Sequence, residues 1–259
     1  MIQLTKKSQT EIPTSIQVTN TTTTDRRNEI IAAKEFIKED KYRNRYKSSD
    51  VKTTLEDHYK NKCAYCEQYS ERWDVEHYRP VSKYYWLAYS WDNLILACPT
   101  CNQDYKNDKF ELQNSTPVIY DPKDLPNIHN LCEKYNQQEH PKLFHPEFDV
   151  PEDYLKFNLK GEIFSTDLRG KYTIKTCGLD RKKLNDRRKD VVIDDFIRKL
   201  NDIMNFKLSN PQKYLEEIEK LIDNFVKKAY NDKKEFLGFR RHILLNTLSK
   251  LIDYKTRSV

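Results

Sequence analysis

The stretch that decides the fold lies between two cysteine pairs, CAYC at residues 63–66 and CPTC at residues 98–101. Each C-x₂-C pair can form a tight turn that presents two thiolates, and together the two pairs suit one tetrahedral Zn²⁺ with no open coordination position. Matched spacing disfavours the alternative of unrelated buried cysteines. We therefore predict a structural zinc site, whose binding energy contributes to folding. Its ligands would be Cys63, Cys66, Cys98 and Cys101.

On either side of this stretch, the predicted secondary structure and the composition of the chain change several times. Apolar residues at helical spacing follow Asp25, and similar patterns fill the chain after Thr166. Between the metal region and these later helices, the chain is rich in proline, asparagine and histidine, with a short strand predicted at 118–120 and a hairpin at Lys160–Gly161. The predicted regions are a flexible arm (1–24), N-terminal helices (25–60), the metal core (61–112), a loop-rich connector (113–165) and a helical C-terminal region (166–259). The fold class is thus α+β and mostly helical.

Composition narrows the class of protein. Charged residues make up 33% of the chain and the net charge is +6, a mild excess that permits nucleic-acid binding without demonstrating it. No apolar run approaches the roughly 18 residues of a membrane span, and the first residues lack the apolar region of a secretory signal. Six cysteines without an export signal indicate a reducing compartment, so we expect a cytoplasmic protein without a membrane partner.

Polar residues whose side chains could act in catalysis or bind a metal ion lie between and just after the cysteine pairs. Because the thiolates already complete the zinc site, His77 in the sequence EHYRP is free for another role, either as a general base or as a structural histidine. Glu76 precedes it, and Asn102 follows Cys101 directly. Carboxylate and amide oxygens suit Mg²⁺, which keeps several waters and can share a substrate phosphate. Asn93 is either part of this site or a helix cap.

The sequence CAYC…VEHYRP…WDNLILACPTCNQDYK resembles the HNH endonuclease family, which has a ββα-metal core and often a four-cysteine zinc site. The longer pattern, through YLKFNLKGEI and TIKTCGLDRKKLNDRR, is similar to the HNH subunit of Septu-type and retron-associated anti-phage systems. The resemblance implies that His77 is the general base and that Asn93 holds the loop that orients it. It also implies that Glu76 and Asn102 bind the catalytic Mg²⁺ or Mn²⁺. Asp74, which shares a strand face with Glu76, is a further candidate ligand.

The same resemblance implies a metal-dependent endonuclease that cuts DNA. Its partner would be a separate ABC- or SMC-like ATPase that docks on the C-terminal helices, since this chain has no P-loop motif. Arg79 and Lys106 are candidate phosphate contacts, with a solvated surface role as the alternative for each.

Two other functions remain open at this point, a non-catalytic zinc module that binds DNA or protein and a stand-alone restriction-type nuclease.

Overall fold

A computed structural model describes residues 1–113 and 116–257. Residues 114–115 of the predicted connector and 258–259 of the predicted C-terminal region lie outside the described residues. The described chain is mostly helical with two small two-stranded sheets, which confirms the α+β prediction. None of its helices combines the length and the apolar character that a membrane crossing requires.

The N-terminal helices are α1 (Thr21–Ala33), α2 (Asp40–Tyr46) and α3 (Ser49–His58). The helix predicted to begin at Asp25 starts earlier, because the Asn20 side chain accepts a hydrogen bond from the Thr23 N–H and caps it. It also ends earlier than the apolar pattern suggested. Lys34 adopts a left-handed conformation with φ of 55°, which stops α1 and separates it from α2.

Residues 1–24, predicted as a flexible arm, are packed against the rest of the protein. The side chain of Ile16 is completely buried, and Lys7 forms a buried ion pair with Glu147. The indole N–H of Trp91 donates to the Ser8 carbonyl at 3.3 Å. Before α1 begins at Thr21, the segment consists of extended chain and short 3₁₀ turns, so its few buried side chains there follow no helix or strand period. This is why the sequence pattern gave no sign of the packing.

The metal core contains two antiparallel strands, β1 (Asp74–His77) and β2 (Leu94–Ala97), followed by a π-helical segment at Thr100–Lys106. The strands pair His77 with Leu94 and Asp74 with Ala97. Every residue of β2 is buried, and α3 packs against this strand. The arrangement is the predicted ββα order, with Cys98 directly after β2 and Cys101 in the first turn of the helical segment.

The connector holds α4 (Cys132–Glu139) and a hairpin of β3 (Lys156–Phe157) and β4 (Ile163–Phe164). The predicted hairpin is present, and Gly161 turns it with φ of 75°, where a Cβ would lie 2.3 Å from the Asn185 carbonyl oxygen. The predicted strand at 118–120 is absent from the described connector. Instead of pairing with another strand, the Val118 N–H donates to the Glu139 carboxylate at 2.8 Å.

The C-terminal region is helical, as predicted. Its helices are α5 (Leu168–Thr176), α6 (Lys182–Arg188), α7 (Asp195–Met204), α8 (Pro211–Tyr230), α9 (Leu237–Asn246) and α10 (Leu248–Arg257). A π-helical segment at Lys189–Asp194 joins α6 to α7. Asn210 caps α8 by accepting from the Lys213 N–H, and proline occupies the first turn as the sequence indicated. Buried residues from all regions form one continuous hydrophobic core.

Candidate metal centre and adjoining cleft

The four paired cysteines come together in one buried cluster. Their sulfur atoms all lie within 4.8 Å of one another, and the Sγ atoms of Cys66 and Cys98 are 3.9 Å apart. Four sulfurs bound to one Zn²⁺ at about 2.3 Å would be about 3.8 Å apart in a tetrahedron. All six cysteines are free thiols, and Cys132 and Cys177 lie outside the cluster. The donor set therefore fits one tetrahedral metal ion.

An arginine that the sequence gave no reason to single out contacts this cluster. Arg181, in the turn between α5 and α6, places its Nη1 3.6 Å from the Sγ of Cys101. The same nitrogen donates to the Gly178 carbonyl at 2.8 Å, and Nη2 lies 3.4 Å from the Gln68 side-chain oxygen. A guanidinium beside thiolates compensates their negative charge. The contact also joins the C-terminal region to the metal core.

His77 ends β1 and is held in one orientation by the backbone. Its Nε2 lies 2.9 Å from the carbonyl oxygen of Ala88, which can only accept a hydrogen bond. The neutral ring therefore carries its proton on Nε2, and Nδ1 is left as the acceptor atom. The Tyr46 ring meets the imidazole edge to face with 4.5 Å between the centroids. Burial lowers the pKa of His77 to about 4, with smaller contributions from Lys106 and Lys47. The ring is thus neutral at cellular pH.

Asn93 fixes the backbone that follows His77. Its side-chain oxygen accepts from the Arg79 N–H at 2.8 Å, and its side-chain nitrogen donates to the Arg79 carbonyl at 3.1 Å. A third bond runs from the same nitrogen to the Leu87 carbonyl at 3.4 Å. These bonds tie the end of β1 to the loop that carries Ala88. Asn93 is thus placed to fix the position of the His77 imidazole relative to the Ala88 carbonyl that it binds.

The two acidic residues of β1 have different surroundings. Glu76 is buried and forms an ion pair with Lys106, whose ammonium also donates to the His77 carbonyl at 2.9 Å. Burial raises the pKa of Glu76, and Lys106 opposes that rise. The Oδ2 of Asp74 instead accepts from the side-chain amides of Asn102 at 3.0 Å and Gln103 at 2.8 Å. Asp74 therefore orients Asn102, while Glu76 is held against the ammonium of Lys106.

A cleft of about 250 Å³ brings the predicted site residues together. Its walls are Glu76, His77, Pro80, Val81, Asn102, Gln103, Asn107 and Asp108. Asp74 is absent from these walls, as is Asn93, whose side chain binds the backbone of Arg79 and Leu87. The Oε1 atom of Glu76 is buried in the ion pair with the Lys106 ammonium, and the same residue lines the cleft. A buried carboxylate oxygen and a neighbouring amide suit a hard divalent ion, so the residues present fit the predicted catalytic metal.

Arg79 and Lys106 are both inside the protein. Neither side chain is exposed to solvent, and each is paired with a buried carboxylate, Arg79 with Glu139 and Lys106 with Glu76. Their placement argues against the predicted phosphate contacts, because a phosphate would have to displace a buried ion pair to reach either cation.

Comparison with known proteins agrees with the geometry. The sequence model of the HNH endonuclease family matches residues 63–108. Over 226 aligned residues the chain is 28% identical to the Septu protein PtuB of Bacillus mycoides (strain KBAB4), an alignment that covers 76% of this chain and 73% of that protein. The resemblance inferred from the sequence is confirmed.

A second similarity is to the Septu protein PtuA of the same strain. It is 24% identical over 149 residues and covers 52% of this chain but only 20% of that protein. This is a likeness between two sequences, and it says nothing by itself about binding between the two proteins.

Proposed function

From the HNH endonuclease domain at residues 63–108, we propose that this chain is a metal-dependent endonuclease that hydrolyses phosphodiester bonds of DNA. The observation that carries the proposal is the state of His77. Its Nε2–H is bound to Ala88, its Nδ1 makes no hydrogen bond to the described residues, and the ring lines the same cleft as Glu76 and Asn102. A neutral imidazole with a free acceptor atom beside oxygen ligands is the arrangement that water activation requires.

In the proposed reaction, Nδ1 of His77 takes a proton from a water molecule as the water oxygen forms a bond to the phosphorus. The bond from phosphorus to the leaving oxygen then breaks, and the leaving oxygen receives a proton from solvent. The Ala88 carbonyl stabilises the imidazolium that forms, since the Nε2–H keeps its acceptor throughout. Asn93 fixes the position of the imidazole relative to Ala88 through its hydrogen bonds to the backbone of Arg79 and Leu87.

Glu76 and Asn102 would hold the catalytic Mg²⁺ or Mn²⁺, with Asp74 turning the Asn102 amide toward its place. When bound, the ion supplies positive charge that stabilises the extra negative charge on the phosphate. Before the metal ion binds, the ammonium of Lys106 compensates the negative charge of the buried Glu76 carboxylate. Zn²⁺ would occupy the cysteine cluster in a purely structural role.

We propose that the chain acts in the cytoplasm in a Septu-type anti-phage defence system, and its similarity to the Septu protein PtuB supports the Septu assignment. We propose that a separate ABC- or SMC-like ATPase controls the nuclease and docks on the helices of the C-terminal region. Purification of the chain from its native host, with identification of stoichiometric partners by mass spectrometry, tests this assignment. Recovery of the chain alone would contradict it.

The nuclease itself is tested by a DNA cleavage assay in the presence of Mg²⁺ or Mn²⁺, with the full chain and any partner that co-purifies. The wild-type protein should cut, and His77→Ala should lose at least a hundredfold in rate because the general base is missing. His140→Asn is the matched control, since His140 is exposed and asparagine suits its left-handed backbone. Equal cutting by wild type and His77→Ala would contradict the assignment of His77 as the general base. No cutting by either, under any metal or partner condition, would support the non-catalytic zinc module instead.

A further inference from the structure

We infer that the phosphate contacts of this nuclease lie on a cationic rim formed by Arg43, Lys47 and Lys83, and that its ligand is the backbone of double-stranded DNA. The inference rests on the proposed function, since it concerns how the substrate reaches the same cleft. These three residues are outside the set that the sequence pattern indicated.

The first observation is the position of α2. Its last residue, Tyr46, is buried, and its ring contacts the imidazole of His77 with 4.5 Å between the centroids. The helix therefore lies directly beside the cleft. The positive charge of Lys47 also contributes to the lowered pKa of His77. Burial raises the pKa of Tyr46 and the charge of Arg43 opposes that rise, which agrees with this closeness.

The second observation is the charge of that helix. Residues 40–47, DKYRNRYK, contain four cations and one carboxylate. Arg43 and Lys47 are four residues apart and so share a helix face next to Tyr46. Lys41 forms an ion pair with Glu39, but neither Arg43 nor Lys47 has a carboxylate partner among the described residues. Both side chains reach solvent, since Lys47 is exposed and Arg43 is half-buried.

The third observation is a cation that follows the cleft wall by two residues along the chain. Lys83 is exposed and ends a turn that begins at Pro80, whose carbonyl accepts the Lys83 N–H at 3.0 Å. Pro80 and Val81 of that turn line the cleft. No described carboxylate pairs with Lys83. Exposed cations without partners are common on this protein. Arg43 and Lys47 are distinguished by their helix, which contacts His77 through Tyr46, and Lys83 by its turn, which lines the cleft.

A polyanion is the ligand that complements this rim. Duplex DNA carries one negative charge per about 1.7 Å of axis, so a strand that places one phosphate in the cleft also brings neighbouring phosphates to its edge. Lys106, the described cation next to the carboxylate of the cleft, is buried against Glu76. Among the described residues, the cleft therefore offers no free cation that could contact a phosphate. The rim supplies the missing positive charge without adding one to the reacting centre.

The experiment measures DNA binding by full-length His77→Ala protein, which removes cleavage, with a labelled 20-base-pair duplex between 50 and 200 mM salt. The test variant adds Arg43→Gln, Lys47→Gln and Lys83→Gln. The matched control adds Lys160→Gln, Lys213→Gln and Lys227→Gln, which remove the same charge from exposed sites on the hairpin and α8. We expect the test variant to reduce the slope of log affinity against log salt by about 2.7, or about 0.9 for each phosphate contact. The control should change the slope by less than one contact.

Equal slopes for the test and control variants, while the wild-type chain still cuts DNA, would overturn the rim and leave the nuclease intact. Absence of both binding and wild-type cleavage would overturn the proposed function and the rim together. A 20-nucleotide RNA is included as a second ligand. A slope change seen with RNA but not with the duplex would overturn the assignment to DNA.

Discussion

Arg79 and Glu139 form an ion pair from which solvent is completely excluded, with 2.9 Å between Nη2 of the arginine and Oε2 of the glutamate. The pair joins the end of β1, two residues after His77, to the last residue of α4. Further bonds complete it, because Arg79 donates to the Asn136 side chain at 2.8 Å and the Tyr84 hydroxyl donates to Glu139 at 2.8 Å. A buried network of charged and polar side chains thus fixes the backbone at the end of β1, next to the candidate base His77.

Replacing Arg79 by methionine should lower the free energy of unfolding by about 3–5 kcal/mol, because it leaves the Glu139 carboxylate buried without its counter-charge. Urea unfolding followed by circular dichroism measures this loss. Lys182→Met is the control, since Lys182 pairs with Asp186 at the surface with 88% of its side chain exposed, and its loss should be below about 0.5 kcal/mol. A loss below 1 kcal/mol for Arg79→Met would contradict the structural role.

The different surroundings of Glu76 and Asp74 predict different metal responses. Glu76→Gln should abolish cleavage at every Mg²⁺ concentration, since it removes the carboxylate that faces the cleft. Asp74→Ala should reduce the rate about tenfold and shift the Mg²⁺ dependence to higher concentration, because Asn102 loses the acceptor that orients it. Rates between 0.1 and 20 mM Mg²⁺ (roughly the range that spans weak oxygen sites) distinguish the two.

Calorimetric titration with Mn²⁺ gives the same comparison without reference to catalysis. Binding should be lost in Glu76→Gln and weakened in Asp74→Ala. The opposite order, with Asp74 essential and Glu76 dispensable, would show that the main ligand is Asp74 and that the placement of Glu76 on the cleft wall has been misinterpreted.

The sequence predicted the parts of the fold that depend on local chemistry. Two matched C-x₂-C pairs place four sulfurs together, and the spacing of apolar residues marks the C-terminal helices and the hairpin. It failed where long-range contacts decide the outcome. Ile16 and Lys7 are buried by residues far along the chain, and Val118 donates to Glu139 instead of joining a strand.

The candidate site shows the same division. His77, Glu76 and Asn102 were identified from their positions relative to the cysteines, and the structure places all three on one cleft. The burial of Arg79 and Lys106 was not predictable, because a basic residue near a candidate site looks the same in sequence whether it faces solvent or a buried carboxylate. Tyr46 and the Ala88 carbonyl carry no sequence signal at all, since both act on His77 through tertiary contact.

Arg181 predicts how firmly the cysteine cluster holds its metal. Because the guanidinium lies beside the Cys101 sulfur, Arg181→Gln should weaken Zn²⁺ binding by about 10–100-fold, as the loss of residues that support metal ligands generally does. The release of zinc to a coloured chelator at fixed protein concentration measures the change. Lys182→Gln, one residue away and exposed, should leave the release unchanged. Equal release by the two variants would mean that Arg181 serves the packing of α6 alone.

Buried histidines predict a loss of stability in mild acid. Burial lowers the pKa of both His129 and His145 to about 3, and for His145 the nearby Glu147 only partly offsets this. In the unfolded chain a histidine titrates near 6.5, so between these values the unfolded state binds the proton and the folded state does not. Stability should therefore fall as the pH drops below about 6.5, by about 2 kcal/mol for each of the two histidines at pH 5.

Comparison of His145→Gln with wild type isolates one of these contributions from the titration of the carboxylates. The variant is expected to be less stable at pH 7, since His145 accepts the Glu147 N–H at 3.1 Å, but to lose about 2 kcal/mol less than wild type between pH 7 and pH 5. Urea unfolding at the two pH values gives this difference directly. His140→Asn, which alters an exposed histidine, should follow the wild-type dependence. Parallel pH curves for wild type and His145→Gln would mean that His145 takes up its proton in the folded protein as readily as in the unfolded chain.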